Sequence, residues 1–180
     1  LYSGGNRGAM TNENGILLPL TSAYLTVNNV YGGCRIADVN PGKSPDAETF
    51  KGHDFPEGYA TRVYISAGSI NNVYGGNDIA GTIGTVGGDG SALPFTPAVT
   101  DLDKPSLSAA VHATQNEQYQ MIVGSLYGGG NGAYDYVYDE GKGTYTVKQR
   151  DDAHTVIATV SNRPELARAY IELGGGIYSH

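Results

Sequence analysis

The sequence predicts an all-β chain: a right-handed parallel β-helix (β-solenoid) of a few coils with long inserted loops, forming one domain over residues 1–180. Three observations point there: a recurring phrase, short strand segments bounded by glycine or asparagine, and little helical signal. The phrase Asn28-Asn29-Val30-Tyr31-Gly32-Gly33 returns as Asn71-Asn72-Val73-Tyr74-Gly75-Gly76. Weaker copies open the chain at Tyr2-Ser3-Gly4-Gly5 and recur at Tyr127-Gly128-Gly129-Gly130. A degenerate copy, aligned on Leu173, closes it at Tyr170 to Gly176. Internal repetition of this kind is the signature of stacked units.

The repeated tyrosines stand 29, 43 and 53 residues apart, and Leu173 follows 46 later. One coil needs only some twenty-odd residues, roughly. The excess falls in polar, proline-rich or acidic stretches, so insertions are expected at about 40–60, 91–118 and 133–150. Between them the strand signals are brief. Thr61-Arg62-Val63-Tyr64-Ile65 alternates polar and apolar, Ala67-Gly68 turns, and Ile70 and Val73 point inward before Gly75-Gly76 turns again. Ile79 and Ile83 continue the pattern. Segments of about 3–5 residues are too short for sandwich strands.

Stacking such segments pairs backbones at about 4.8 Å. It sets Tyr2, Tyr31, Tyr74 and Tyr127 in one column, with Gly32, Gly33, Gly75, Gly76, Gly128 and Gly129 at the corners. The Asn-Asn pairs would form a side-chain ladder there. The best helix candidate is Arg163–Ala169, with Asn162 as N-cap and Pro164 in the first turn. Leu107–His112 is a weaker one. The rival fold is a β-sandwich whose Gly-Gly phrases are hairpin turns, but it gives no reason for two nearly identical phrases.

Composition narrows the function classes. Twenty-seven glycines are tolerable only where the backbone needs positive φ or close approach to a neighbour. A net charge of −7 argues against a nucleic-acid partner. No apolar run of about 18 residues exists to span a membrane. There is no signal peptide and residue 1 is Leu, which suggests a mature product or a slice of a longer protein. The one cysteine, Cys34, excludes an internal disulfide and reads as a small half-buried thiol.

The stretch Asn71 to Ile83 resembles the Val-Tyr-Gly-Gly-rich repeats of very large surface or secreted proteins of gut anaerobic bacteria. The resemblance covers the repeated phrases and their flanks, about half the chain. It implies β-helical adhesin or stalk segments and an extracellular or cell-surface location.

No strong catalytic motif is present. Asp101-Leu102-Asp103 and Asp151-Asp152-Ala153-His154 could serve glycoside cleavage, with Lys104, Lys148 and Arg150 nearby, but acidic pairs beside proline are usually solvated loop faces. His53, His112, His154 and His180 show no ligand spacing. Calcium is the more plausible small partner. Asn77, Asp78, Asn131 and Asp139 offer hard oxygen ligands on tight turns, although Asn and Asp also favour such turns for conformational reasons. Tyr134, Tyr136 and Tyr138 alternate along one segment with Asp135 beside them, which makes either a surface for sugars or protein partners or a patch packed over the solenoid flank. The reading that results is a non-enzymatic extracellular structural or adhesive segment. Its alternatives are a subunit of a self-assembling filament, stacked head to tail, and a β-helical polysaccharide lyase or hydrolase.

Overall fold

The computed structural model describes residues 1–41, 45–55, 58–84, 108–114, 118–166 and 168–174. Fourteen strands run through them: β1 (Ile16–Leu20), β2 (Thr26–Tyr31), β3 (Glu48–Phe50), β4 (His53–Phe55), β5 (Tyr59–Ile65), β6 (Gly68–Tyr74), β7 (Gly81–Ile83), β8 (Ser108–Thr114), β9 (Met121–Tyr127), β10 (Asp135–Asp139), β11 (Thr144–Gln149), β12 (Asp152–Val160), β13 (Pro164–Leu166) and β14 (Arg168–Gly174). The described chain is all-β. Among the described residues no helix is long and apolar enough to cross a membrane.

Three of the sheets are parallel. One runs β1-β5-β8-β14, a second β2-β6-β9, and a third pairs β7 with β13. Isolated bridges extend the third through Met10, Val39 and Ile83, and the second through Tyr2 and Tyr31. Parallel strands covered on both faces bury nearly every side chain. In β5 all seven residues are buried, so its polar–apolar alternation does not mark a wet face.

The core lies between the first two sheets, and register builds it. Leu18, Val63 and Val111 are opposite one another, as are Leu20, Ile65 and Ala113. Facing them, Val30, Val73 and Leu126 share a row in the second sheet, and Val27, Ile70 and Val123 another. These residues form one continuous cluster. Each fully buried Val or Ile contributes about 1.5–3 kcal/mol relative to exposure. A second cluster at the other end of these sheets holds Ile16, Cys34, Val39, Ala60, Ile83 and Ala109. Cys34 is fully buried there rather than half-buried, and burial pushes its thiol up from the ordinary value.

Tyr2, Tyr31, Tyr74 and Tyr127 stack in order, with ring centroids 4.8, 5.1 and 4.8 Å apart and planes within 12°. Below them, Asn71 donates to Asn28 at 2.8 Å and Asn72 to Asn29 at 2.9 Å. Backbone pairing continues past the tyrosines: Gly32 N–H donates to Tyr74 O at 2.7 Å and Gly75 N–H to Tyr127 O at 2.8 Å. These glycines do not adopt positive φ. They are required by proximity, because a Cβ on Gly32 would sit 2.4 Å from Gly75 O, and one on Gly75 would sit 2.5 Å from Gly128 O. The Gly-Gly corners join strands of parallel sheets, so they are not the hairpin turns that a sandwich requires.

Four expectations are corrected. Arg163–Ala169 is not a helix: Pro164–Leu166 pairs with β7, and the chain re-enters the first sheet at β14. Proline is acceptable at the first position of a strand. Asn162, expected as an N-cap, instead accepts from Gly81 N–H at 3.2 Å and donates to Thr82 Oγ1 at 2.9 Å. Leu107–His112 is likewise not helical where described, and Ser108–Thr114 forms β8. Its alanines favour helix intrinsically, but small side chains are what fit between β5 and β14, where Ala109, Ala110 and Ala113 are buried.

The third correction concerns the closing copy at Leu173, which lies opposite Ala113 in the first sheet and does not follow Tyr127. The fourth concerns the insertions. The stretch 40–60 contains the β3-β4 hairpin and the start of β5, 91–118 contains β8, and 133–150 contains β10 and β11. The hairpin lies over the outer face of the first sheet, where Phe55, Tyr59, Tyr64 and Ala110 are buried with Leu17 and Phe50 beside them. Arg62, 1% exposed, fastens its root by donating to Glu48 Oε2 and Asp46 O, both at 2.6 Å.

Candidate functional site

The second Gly-Gly corner leads into Asn77-Asp78, and both side chains are buried. Asn77 Oδ1 accepts from Cys34 N–H at 2.8 Å, and its Nδ2 donates to Ala37 O at 3.2 Å. The Asp78 carboxylate accepts from Asn131 Nδ2 at 2.8 Å, Tyr134 OH at 2.9 Å and Tyr2 OH at 2.8 Å. One buried charge thus ties the opening phrase, the second corner and the approach to β10 together. A buried carboxylate is sustained only by such donors.

Above this hub, β10, β11 and β12 form an antiparallel sheet that packs on Ile79 and Ala80 through Val147, Ala158 and Val160. Tyr136 OH donates to Ile79 O at 2.7 Å. Tyr138 is 53% exposed and leans on Tyr145, its partner across the ladder, at 4.9 Å. The Arg163 guanidinium lies 5.3 Å from the ring centres of both Tyr136 and Tyr145. Tyr134, Asp135, Tyr136, Arg150, Arg163 and Pro164 line a cleft of about 480 Å³. Aromatic faces with two guanidinium groups and one carboxylate can hold a hydroxyl-rich or carboxylate-bearing ligand.

The structure brings Tyr134, Asp135 and Tyr136 together at this cleft and sets Tyr138 on the same sheet beside it. The arginines escaped the sequence reading as partners of the tyrosines. Arg163 is far along the chain from Tyr136, and only the third dimension joins them. Of the residues considered for calcium, Asn77, Asp78 and Asn131 lie together, with both Asp78 oxygens engaged by protein donors. Asp139 is elsewhere, in the β10–β11 turn, accepting from Gly141 and Lys142 N–H and pairing with Lys142 Nζ at 3.0 Å.

Of the acidic residues weighed for catalysis, Asp101 and Asp103 lie outside the described residues, as does Lys104. Asp152 is exposed and accepts from His154 N–H at 3.0 Å and from Thr155 Oγ1, bonds that hold its carboxyl below the usual range.

Burial, with Asp78 as the next cause, pushes the Tyr2 and Tyr136 phenols up to about 12. Burial raises Tyr31, Tyr74 and Tyr134 as well. Because Tyr2 and Tyr136 titrate higher in the folded chain than the ordinary value of 10.0, their contribution to stability is fully present below pH 10 and is lost as pH rises to about 12. Urea-unfolding midpoints are therefore expected to hold steady up to pH 9 and to fall steeply between about pH 10 and 12. A flat midpoint across that window would contradict the role given to the buried phenols.

Compared with protein-family models, with curated proteins and with solved structures, the chain matches none.

Proposed function

We propose that the chain is a non-enzymatic structural and adhesive segment of an extracellular protein. In this reading its parallel sheets are the faces of one β-solenoid, and the β10-β11-β12 sheet is the surface it presents to a glycan or protein. The observation that carries the reading is the tyrosine stack. Its centroid spacings of 4.8–5.1 Å match the separation of neighbouring strands. Equivalent residues of successive phrases therefore sit one strand apart, as in a coil with a translational repeat. The strand succession supports it as well: β1 then β2, β5 then β6, and β8 then β9 alternate between the same two sheets. The coil is taken as right-handed because parallel crossovers almost always are.

A stack of this kind resists bending and gives a fixed platform, while the inserted sheet supplies side chains for contact. The cleft beside Tyr134 and Tyr136 suits a sugar, whose C–H faces pack on aromatic rings while the two arginines engage hydroxyl or carboxylate oxygens. Screening the purified chain on a glycan array and against host-surface proteins should yield a ligand. Tyr138→Ala and Arg150→Gln should each weaken its binding by about tenfold with unchanged thermal stability. Both residues are exposed, so their loss leaves the core intact. Undiminished binding in both variants removes this sheet from the proposal. Release of reducing ends or unsaturated uronides from polysaccharides, abolished by Asp101→Asn or Asp152→Asn, would replace the non-enzymatic reading with a degradative one.

A further inference from the structure

Two of the four histidines, distant in sequence, meet on the outer face of the first sheet. Tyr64, His112 and Glu172 occupy one register row across β5, β8 and β14. The β3-β4 hairpin folds over that row. Phe50 packs edge-on to Tyr64 at 5.1 Å, Phe55 is buried, and His53 stacks on His112 with ring centres 3.3 Å apart. The nitrogens then converge. Nε2 of His53 lies 3.9 Å from Glu172 Oε2, and Nδ1 of His112 lies 3.8 Å from the same oxygen. All three ligand atoms fall within 4.8 Å of one another. Tyr170 OH donates to Glu172 Oε2 at 3.0 Å and so helps orient the carboxylate.

One detail separates this group from ordinary ring packing. His112 is 5% exposed, yet its Nδ1 has no hydrogen-bond partner. A buried polar atom left unpaired costs about 1–3 kcal/mol, and such atoms call for an explanation. Here the atom faces a carboxylate oxygen too distant for a hydrogen bond, with a second imidazole nitrogen alongside. We propose that His53, His112 and Glu172 form a binding site for a divalent transition-metal ion of the zinc type, which clamps the β3-β4 hairpin onto β8 and β14.

The donor set fits that class. Two imidazoles and one carboxylate are the ligands of borderline ions such as Zn²⁺, whereas Ca²⁺ and Mg²⁺ prefer oxygen throughout. Bonds of about 2.0–2.2 Å in tetrahedral geometry place ligand atoms about 3.3–3.5 Å apart. The stacked rings, 18° from parallel, aim their in-plane nitrogen lone pairs alongside one another, so binding turns one imidazole out of the stack and brings the ligand atoms from within 4.8 Å to this spacing. Three protein ligands leave a fourth position, and the Glu172 side chain, 41% exposed, gives the ion a route from solvent.

The test uses the whole chain, freed of metal by a chelator and then titrated with Zn²⁺ in a calorimeter, with Ca²⁺ as comparison. The expected result is one Zn²⁺ per chain at micromolar affinity or better, a rise in melting temperature with added Zn²⁺, and no response to Ca²⁺. Co²⁺ should give the strong visible absorption of a four-coordinate site. Glu172→Gln should weaken Zn²⁺ binding by about 100-fold or more, beyond the loss of an outer-shell partner. His53→Phe should do the same while keeping the ring stack, which separates ligation from packing. His154→Gln, at an exposed position of β12, should bind as the parent does. Absence of Zn²⁺ binding by the parent chain, or binding retained in both Glu172→Gln and His53→Phe, overturns the site. Glycan or protein binding by the β10-β11-β12 sheet is unaffected by either outcome.

Discussion

Replacing Gly75 with alanine is expected to lower stability by about 3 kcal/mol, the upper end of what overpacking costs. The added Cβ would stand 2.5 Å from Gly128 O, 3.1 Å from Val111 Cγ2 and 3.2 Å from Ala109 Cβ. The nearest of these is a backbone oxygen, not the tip of a flexible side chain. It cannot retreat without disturbing the ladder in which Gly75 N–H donates to Tyr127 O at 2.8 Å and Gly76 N–H to Gly129 O at 3.0 Å. Separating the strands here also opens the gap between Tyr74 and Tyr127, which stack 4.8 Å apart. Gly8→Ala is the control, since nothing lies within 4 Å of a Cβ there and no positive φ is involved. Urea-unfolding midpoints measure both. A shift for Gly75→Ala no larger than for Gly8→Ala would mean that the corner has slack and that the glycines are not required by close approach.

Asp78→Ala should cost about 3–5 kcal/mol, because hydrogen bonds to a charged acceptor contribute about 1.5–3 kcal/mol each and the orphaned donors remain buried. Three donors lose their acceptor together: Tyr2 OH, Tyr134 OH and Asn131 Nδ2. The loss is also local in its consequences. Asp78 joins the parallel sheets to the approach to β10, so amides of β10, β11 and β12 should exchange faster while those of β5 and β6 remain protected. Asp78→Asn retains one acceptor oxygen but points an amide toward the other donors, and should fall between the two. Hydrogen exchange read strand by strand checks this. Uniform acceleration across all sheets, or none at all, would remove Asp78 as the link.

The stack of four tyrosines, the asparagine ladder and the glycine corners are all legible in the chain, for a common reason. Where one strand lies directly over its counterpart, equivalent positions have equivalent surroundings, so the same residues recur. Val30, Val73 and Leu126 share a row on that logic. The helical reading of 162–169 failed on the opposite logic. Asn162, Pro164 and the residues after them look like a helix start when judged locally, but two existing strand edges, β7 and β8, offered hydrogen bonds along their full length. The same competition turned the alanine-rich β8 into a central strand. In the candidate site, Tyr134 and Tyr136 were visible through their alternation. The arginines that complete the cleft were not, because no periodicity links them to the tyrosines.

By itself, then, the sequence determined the β class, the repeated corners and the side chains that stack there, since a translational repeat writes itself into the chain one residue at a time. Only the tertiary structure decided that Asp78 receives three donors, that Arg62 anchors the β3-β4 hairpin, that β14 joins the first sheet, and that His53 and His112 meet beside Glu172. Those contacts join residues at separations from 14 positions upward that follow no period. They form because loops returning to the packed sheets must satisfy whatever polar groups they bury, and nothing local records where they will land.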